Sequence, residues 1–189
     1  MNKPFAVLTA LLACAFVGNA SAMTKAEYDA QKTRISADYK AGRDKCSSLT
    51  ANARDICQAE AKGAEKVAKA EAESQYKPSA KNTRDVAMAR AGMMYDVAKE
   101  KCDDLNGNAK DVCVKDAKAA QTKAKEDAKV AKVSADAGAK RSDKVGEAKA
   151  DANAEKREAD YKVARERCDS MTGNAKDSCQ SQAKAKFGM

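Results

Sequence analysis

One sequence unit occurs three times in this chain of 189 residues, and each copy places two cysteines eleven positions apart. The copies are YKAGRDKCSSLTANARDIC at 39–57, YDVAKEKCDDLNGNAKDVC at 95–113 and YKVARERCDSMTGNAKDSC at 161–179. A repeat of this length indicates that one supersecondary unit is used three times. The chain is therefore expected to fold into three equivalent segments.

The cysteine spacing predicts that each segment is a helical hairpin closed by a disulfide. Residues eleven apart in a continuous helix are separated by about 16 Å, whereas a disulfide needs Cα atoms within about 7 Å. A chain reversal midway removes this conflict, because it brings both cysteines to the same height above the turn. The expected pairs are Cys46 with Cys57, Cys102 with Cys113, and Cys168 with Cys179.

The residues at the midpoint favour such a reversal. Gly107 and Gly173 can adopt the left-handed conformation that ends a helix. The asparagine after each glycine is expected to cap the returning helix, as is Asn52 in the first copy. The first copy has Ala51 in place of the glycine, which predicts a strained or differently shaped turn.

Helical periodicity predicts which faces of the two arms meet. A three-four spacing on the incoming helices assigns the inner face to Tyr95, Ala98, Cys102 and Leu105, and to Tyr161, Ala164, Cys168 and Met171. Alanines in steps of four and three form a matching stripe on the returning helices, from Ala109 to Ala135 in the second copy. Tyr39, Tyr95 and Tyr161 are expected to be packing residues.

The N-terminus has the pattern of an export signal. Lys3 precedes an apolar stretch at 5–17, which ends in Ala20-Ser21-Ala22, so cleavage is predicted between Ala22 and Met23. An alternative interpretation is a lipoprotein signal, in which Cys14 would carry the lipid. No second apolar run approaches the ~20 residues that a membrane span needs. The predicted compartment is the bacterial periplasm, with secretion as an alternative.

The composition beyond residue 22 favours helices over a large core. This part of the chain has two Leu, two Ile, nine Val and one Phe, and is rich in the strong helix formers Ala, Lys and Glu. Such a core is too small to hold the fold alone, so the six remaining cysteines are expected to form disulfides, as export into an oxidising compartment allows.

The predicted organisation is all-α, with a signal peptide at 1–22 and three antiparallel hairpins at 23–78, 79–137 and 138–189. A capping box at Thr24 opens the first helix, and Pro78 separates the first two hairpins. Gly138 and Gly146 make the last connection either a loop or a kinked helix. The periodicity leaves open whether the hairpins form a loose bundle or an extended array.

No catalytic chemistry is found in the sequence. The chain has no histidine and no tryptophan, and its glycines occur singly, so no catalytic, cofactor-binding or metal-binding residue is assigned. Met88, Met93 and Met94 could bind Cu(I) through soft thioethers. Gap-filling at a helix contact is the favoured role of these methionines.

The formal net charge of +8 indicates a solvated helix surface, with an anionic surface of the envelope as a possible partner. Nucleic acid is not expected to bind, since no aromatic platform accompanies the lysines. The oligomeric state is left open.

The Ala/Lys/Glu-rich arms over about 24–186 resemble the central helical domain of the TolA family of Gram-negative envelope proteins. TolA proteins keep a membrane anchor and carry a globular C-terminal domain, and this sequence is expected to depart from both features. The signal, the repeat and the lack of catalytic chemistry favour an exported, non-enzymatic envelope protein with a structural, spacer or interaction role. The alternative is a periplasmic binding or protective protein of a chaperone-like, stress-related or metal-binding kind.

Overall fold

The computed structural model describes residues 22–137 and 142–189, and every regular element in these ranges is an α-helix. The all-α prediction is therefore confirmed. The helices are α1 (Lys25–Cys46), α2 (Ala51–Tyr76), α3 (Ala80–Cys102), α4 (Gly107–Ala137), α5 (Ser142–Cys168) and α6 (Gly173–Phe187). Each of the three predicted segments contains one pair of these helices.

The helices pack in single file. Each one packs chiefly on the helix before it and the helix after it in sequence. We call the α2–α3 contact the first joint and the α4–α5 contact the second joint, because they connect neighbouring hairpins. Since consecutive helices are antiparallel, the three turns that carry the cysteines lie along one edge of the array, which we call the turn edge.

Three disulfides close the turns, as the spacing predicts. The Cα atoms of the paired cysteines are 5.6, 5.7 and 5.7 Å apart in the three hairpins. Cys46, Cys102 and Cys168 are the most deeply buried large side chains of the described residues. The disulfides thus supply the buried residues nearest the turns, and most other buried apolar residues are alanine.

The turns have the predicted left-handed backbone. Gly107 and Gly173 have φ values of 54° and 56°. Ala51 has a φ of 47°, and it is the only non-glycine residue with a positive φ among those described. The first turn is therefore strained, because a Cβ atom makes this conformation unfavourable.

Two expectations about the turns are wrong. α3 and α5 end at Cys102 and Cys168, so Leu105 and Met171 lie beyond the helices and not on their inner faces. Asn52 does not cap α2, whose N-cap is Thr50. Asn108 and Asn174 lie within the first turns of α4 and α6, so the capping role predicted for them is also wrong.

The asparagines instead connect neighbouring hairpins. Asn52 donates a hydrogen bond from Nδ2 to the carbonyl oxygen of Glu100 at 2.8 Å, across the first joint. Asn108 donates to the carbonyl oxygen of Glu166 at 3.0 Å, across the second joint. These positions are equivalent when the repeats are aligned on their cysteines, so both joints have the same register.

Charge and packing repeat in the joints as well. Glu71 pairs with Arg90 in the first joint, and the equivalent Asp127 pairs with Lys156 in the second. The close contact of the first joint combines the buried Gly63 with Met93, where a Cβ on the glycine would lie 2.3 Å from the Met93 Cγ. The equivalent residues of the second joint are two alanines, Ala119 and Ala159, which lie in one buried cluster with Val163.

The open end of the first hairpin is closed by polar and aromatic contacts. The predicted capping box is present, with the Thr24 side chain accepting from the Glu27 amide. The Tyr28 ring stacks on Tyr76 at 4.6 Å, and its hydroxyl donates to Glu73 at 2.6 Å. This hydrogen bond lowers the pKa of the Glu73 carboxyl and raises that of the Tyr28 hydroxyl.

Several predictions concern residues at the limits of the described ranges. The signal segment up to residue 21, with Cys14, lies outside these ranges, and cleavage between Ala22 and Met23 stays a prediction. Gly138 also lies outside them, whereas Gly146 lies within α5 and does not interrupt it. Within the described ranges, no helix contains an apolar segment long enough to cross a membrane.

Candidate functional site

The cysteines, which were the most conspicuous residues of the repeat, all lie in disulfides. One sulfur of each pair is almost completely buried, and a disulfide sulfur has no thiolate to offer a metal or an electrophile. Within 22–137 and 142–189, no three carboxylate or thiol side chains gather closely enough to hold a metal ion. The remaining candidates for a functional site are residues on the surface.

A row of exposed apolar residues lies along the turn edge. Leu49, Leu105 and Met171 occupy equivalent positions in the three turns, three residues after the first cysteine of each pair. Their exposed fractions are 38, 41 and 43%. Leu49 and Leu105 are the only leucines beyond residue 22, so a chain that is poor in large aliphatic residues leaves both of them partly exposed.

Identical backbone hydrogen bonds hold the three apolar residues. The amide of Leu49 donates to the carbonyl of Cys46 at 3.1 Å, and the amides of Leu105 and Met171 donate to those of Cys102 and Cys168 at 3.0 Å. The disulfides fix the carbonyls, so each apolar side chain is presented by a rigid turn. Alternate helices are two interaxial steps apart, which places neighbouring members of the row about 18 Å from each other.

Both signs of charge surround this row. Asp103 pairs with Lys110 at 2.9 Å, and Asp169 pairs with Lys176 at 2.9 Å. The hydrogen bond from each lysine lowers the pKa of the paired carboxyl, and partial desolvation opposes this effect. In the first hairpin the equivalent Arg54 donates instead to the carbonyl of Leu49 at 2.8 Å.

The row could have been recognised from the sequence by one signal. Each copy has an apolar residue at the third position after its first cysteine, inside a turn that is otherwise polar. Helical periodicity extends through this position, and it therefore predicts Leu105 and Met171 on the inner face. Because the helices end at the cysteines, these two residues lie on the surface and not in the core.

Of the three methionines on α3, one packs in the first joint and one is exposed. Met93 fills the space beside Gly63 in the first joint. Met94 is 68% exposed. Met88 is half-buried on α3.

No family model, curated protein or solved structure matches this chain.

Proposed function

We propose that this chain is a non-enzymatic, exported protein of the cell envelope that serves as a structural spacer and interaction scaffold. The observation that carries this proposal is the apolar row of the turn edge, presented three times by rigid turns of equivalent geometry. Single exposed apolar residues are ordinary on a protein surface. The recurrence at equivalent positions, and not the exposure itself, is therefore what supports a binding role.

The single-file packing supports the same role. In repeat proteins each unit contacts only its neighbours, and the result is an extended surface instead of an enclosed pocket. The two joints share one register, so the three turns keep a fixed spacing. A partner with a matching repeat could therefore contact all three hairpins at once.

The charges of the turn edge favour a protein partner over an anionic surface. Lysine and arginine in the last turn of α1, α3 and α5 are offset by Asp44, Asp103 and Asp169 nearby. Such a mixed surface produces only a weak long-range field. Three disulfides agree with export to an oxidising compartment, for which the periplasm is our proposal.

Crosslinking in living cells tests this role. A photoreactive residue is placed at Ser48, Asp104 or Ser170, which are exposed and equivalent in the three turns. We expect one envelope protein to be captured from all three positions, and to be lost in the triple variant Leu49→Gln/Leu105→Gln/Met171→Gln.

The matched control is the triple variant Ala53→Gln/Ala109→Gln/Ala175→Gln, which changes three exposed, equivalent alanines near the same edge. It should leave the crosslink intact. Equal loss of the crosslink in both variants, or capture that does not depend on the apolar row, would contradict the proposal.

A second candidate function is that of a periplasmic binding protein. It is favoured by an open groove beside the first joint, which is described below.

A further inference from the structure

The two joints differ in their ion pairs. In the second joint Arg167 pairs with Asp116 at 3.1 Å, and Lys123 pairs with Asp160 at 2.6 Å. Aligned on the cysteines, the first pair corresponds to Lys101 and Glu60 in the first joint, and the second to Val67 and Met94. These two ion pairs of the second joint thus have no counterpart in the first, where Lys66 and Asp96 form a pair of their own at 3.5 Å.

An open groove of about 640 Å³ lies at this place, enclosed by α1, α2 and α3. Its apolar lining consists of Gly42, Ala61, Ala64, Met93, Val97 and Ala98. Met94 stands at its edge. The volume lies within the range of about 300–1,000 Å³ that is typical of small-molecule sites.

The charged residues of the groove are asymmetrically placed. Lys45 and Lys101 line the end near the Cys46–Cys57 disulfide, and neither forms an ion pair with any residue that the structure describes. Glu60 is the one carboxylate in the lining, so the groove has a net positive charge. Met93 lies eight residues before Lys101 on α3, and the apolar floor is therefore about 12 Å long.

We infer that this groove binds one single-chain amphipathic anion, a fatty-acid carboxylate. The acyl chain lies along Met93 and Val97, and the carboxylate meets the ammonium groups of Lys45 and Lys101. Methionine side chains adapt to irregular apolar ligands because they are unbranched and flexible. The second joint, which has ion pairs at the equivalent positions, does not bind this ligand.

Methyl NMR with dodecanoate tests the inference in the full protein, at concentrations below micelle formation. Labelled methionine methyl groups report the groove directly at Met93 and Met94, and Met171 on the turn edge is an internal control. We expect saturable shifts of Met93 and Met94 with a stoichiometry of one, and no shift of Met171. Equal shifts at Met171 would overturn the inference, because they would indicate non-specific association.

Two variants distinguish the contacts of the acyl chain from those of the carboxylate. Val67→Lys/Met94→Asp copies the ion pair of the second joint and should weaken binding at least tenfold. Lys45→Gln/Lys101→Gln should also weaken it about tenfold, and dodecyltrimethylammonium should bind at least tenfold less tightly than dodecanoate. Unchanged affinity in either variant, or equal affinity for the cation, would overturn the inference. Shifts that grow with protein concentration alone would also overturn it, since a second copy would then fill the groove.

Discussion

The side-chain amide of Asn108 donates a hydrogen bond to the backbone carbonyl of Glu166 at 3.0 Å, which connects the first turn of α4 to the last turn of α5. Asn52 and Glu100 form the same bond at 2.8 Å in the preceding joint. The two carbonyls also accept the amides of Asp103 and Asp169, both at 3.0 Å, and the asparagine uses the second lone pair of the oxygen. The bond therefore fixes the register of neighbouring hairpins at little cost to the helices.

Asn108→Ala is expected to lower the free energy of unfolding by about 1 kcal/mol, the usual net contribution of one hydrogen bond. Asn174→Ala is the matched control, because Asn174 is exposed and has no such bond among the described residues. Its effect should stay within about 0.5 kcal/mol. Urea denaturation measures both, and equal losses would contradict a docking role for the asparagine.

Gly63→Ala is expected to destabilise the protein by about 1–2 kcal/mol. The new Cβ would lie 2.3 Å from the Met93 Cγ and 2.8 Å from its Cβ, so α3 must move. Alanine at 93 removes the Cγ contact but keeps the Cβ contact, so α3 then moves less. Adding Met93→Ala recreates the alanine pair of the second joint. The loss in the free energy of unfolding should therefore be smaller in the double variant than the sum of the losses in the two single variants, by about 1 kcal/mol. Strict additivity in a double-mutant cycle would show that these two residues do not determine how closely α2 and α3 pack.

Ala51→Gly is expected to stabilise the protein by about 1 kcal/mol, because glycine removes the strain of the left-handed backbone at this position. Gly107→Ala should destabilise it by about the same amount, since a Cβ there meets no neighbour and only the backbone is strained.

Gly92→Ala separates this strain from ordinary helix propensity. Gly92 lies in the interior of α3, and a Cβ at this position also meets no neighbour. Alanine should therefore stabilise the protein by up to about 1 kcal/mol. Thermal or urea unfolding measures both variants, and the change in the free energy of unfolding should have opposite signs at Gly92 and Gly107. The same sign at both positions would contradict backbone strain at residue 107.

The turn-edge ion pairs predict a loss of stability in acid. The pKa of Asp103 is lowered from 3.8 by its hydrogen bond to Lys110. A lowered pKa means that the stabilisation is present above the unfolded-state pKa, and is lost as the pH falls through the lower pKa of the folded state. The difference between the wild type and Asp103→Asn should thus be largest above about pH 5 and vanish in strong acid. A difference that persists unchanged in strong acid would contradict the ion pair.

The disulfide turns were predictable because local geometry determines them. Helix rise and disulfide length together require a reversal between Cys102 and Cys113, and glycine at 107 supplies its backbone conformation. The strain at Ala51 followed from the same argument. None of these features depends on how the hairpins pack together.

The joints were not predictable, because they arise from contacts that are distant in sequence. Asn108 could satisfy a backbone group of its own helix or of another, and only the approach of α5 decides between them. The complementary sizes of Gly63 and Met93 are likewise apparent only when α2 and α3 are paired. The exposure of Leu105 depended on where α3 ends, which periodicity alone defines poorly.

The central claim, an exported array of three disulfide-linked hairpins, is tested most directly by disulfide mapping. The protein is recovered from the periplasm under conditions that trap free thiols, digested without reduction and analysed by mass spectrometry. We predict three linked peptide pairs, Cys46 with Cys57, Cys102 with Cys113, and Cys168 with Cys179. Free thiols at these positions, or bonds between different hairpins, would contradict the account.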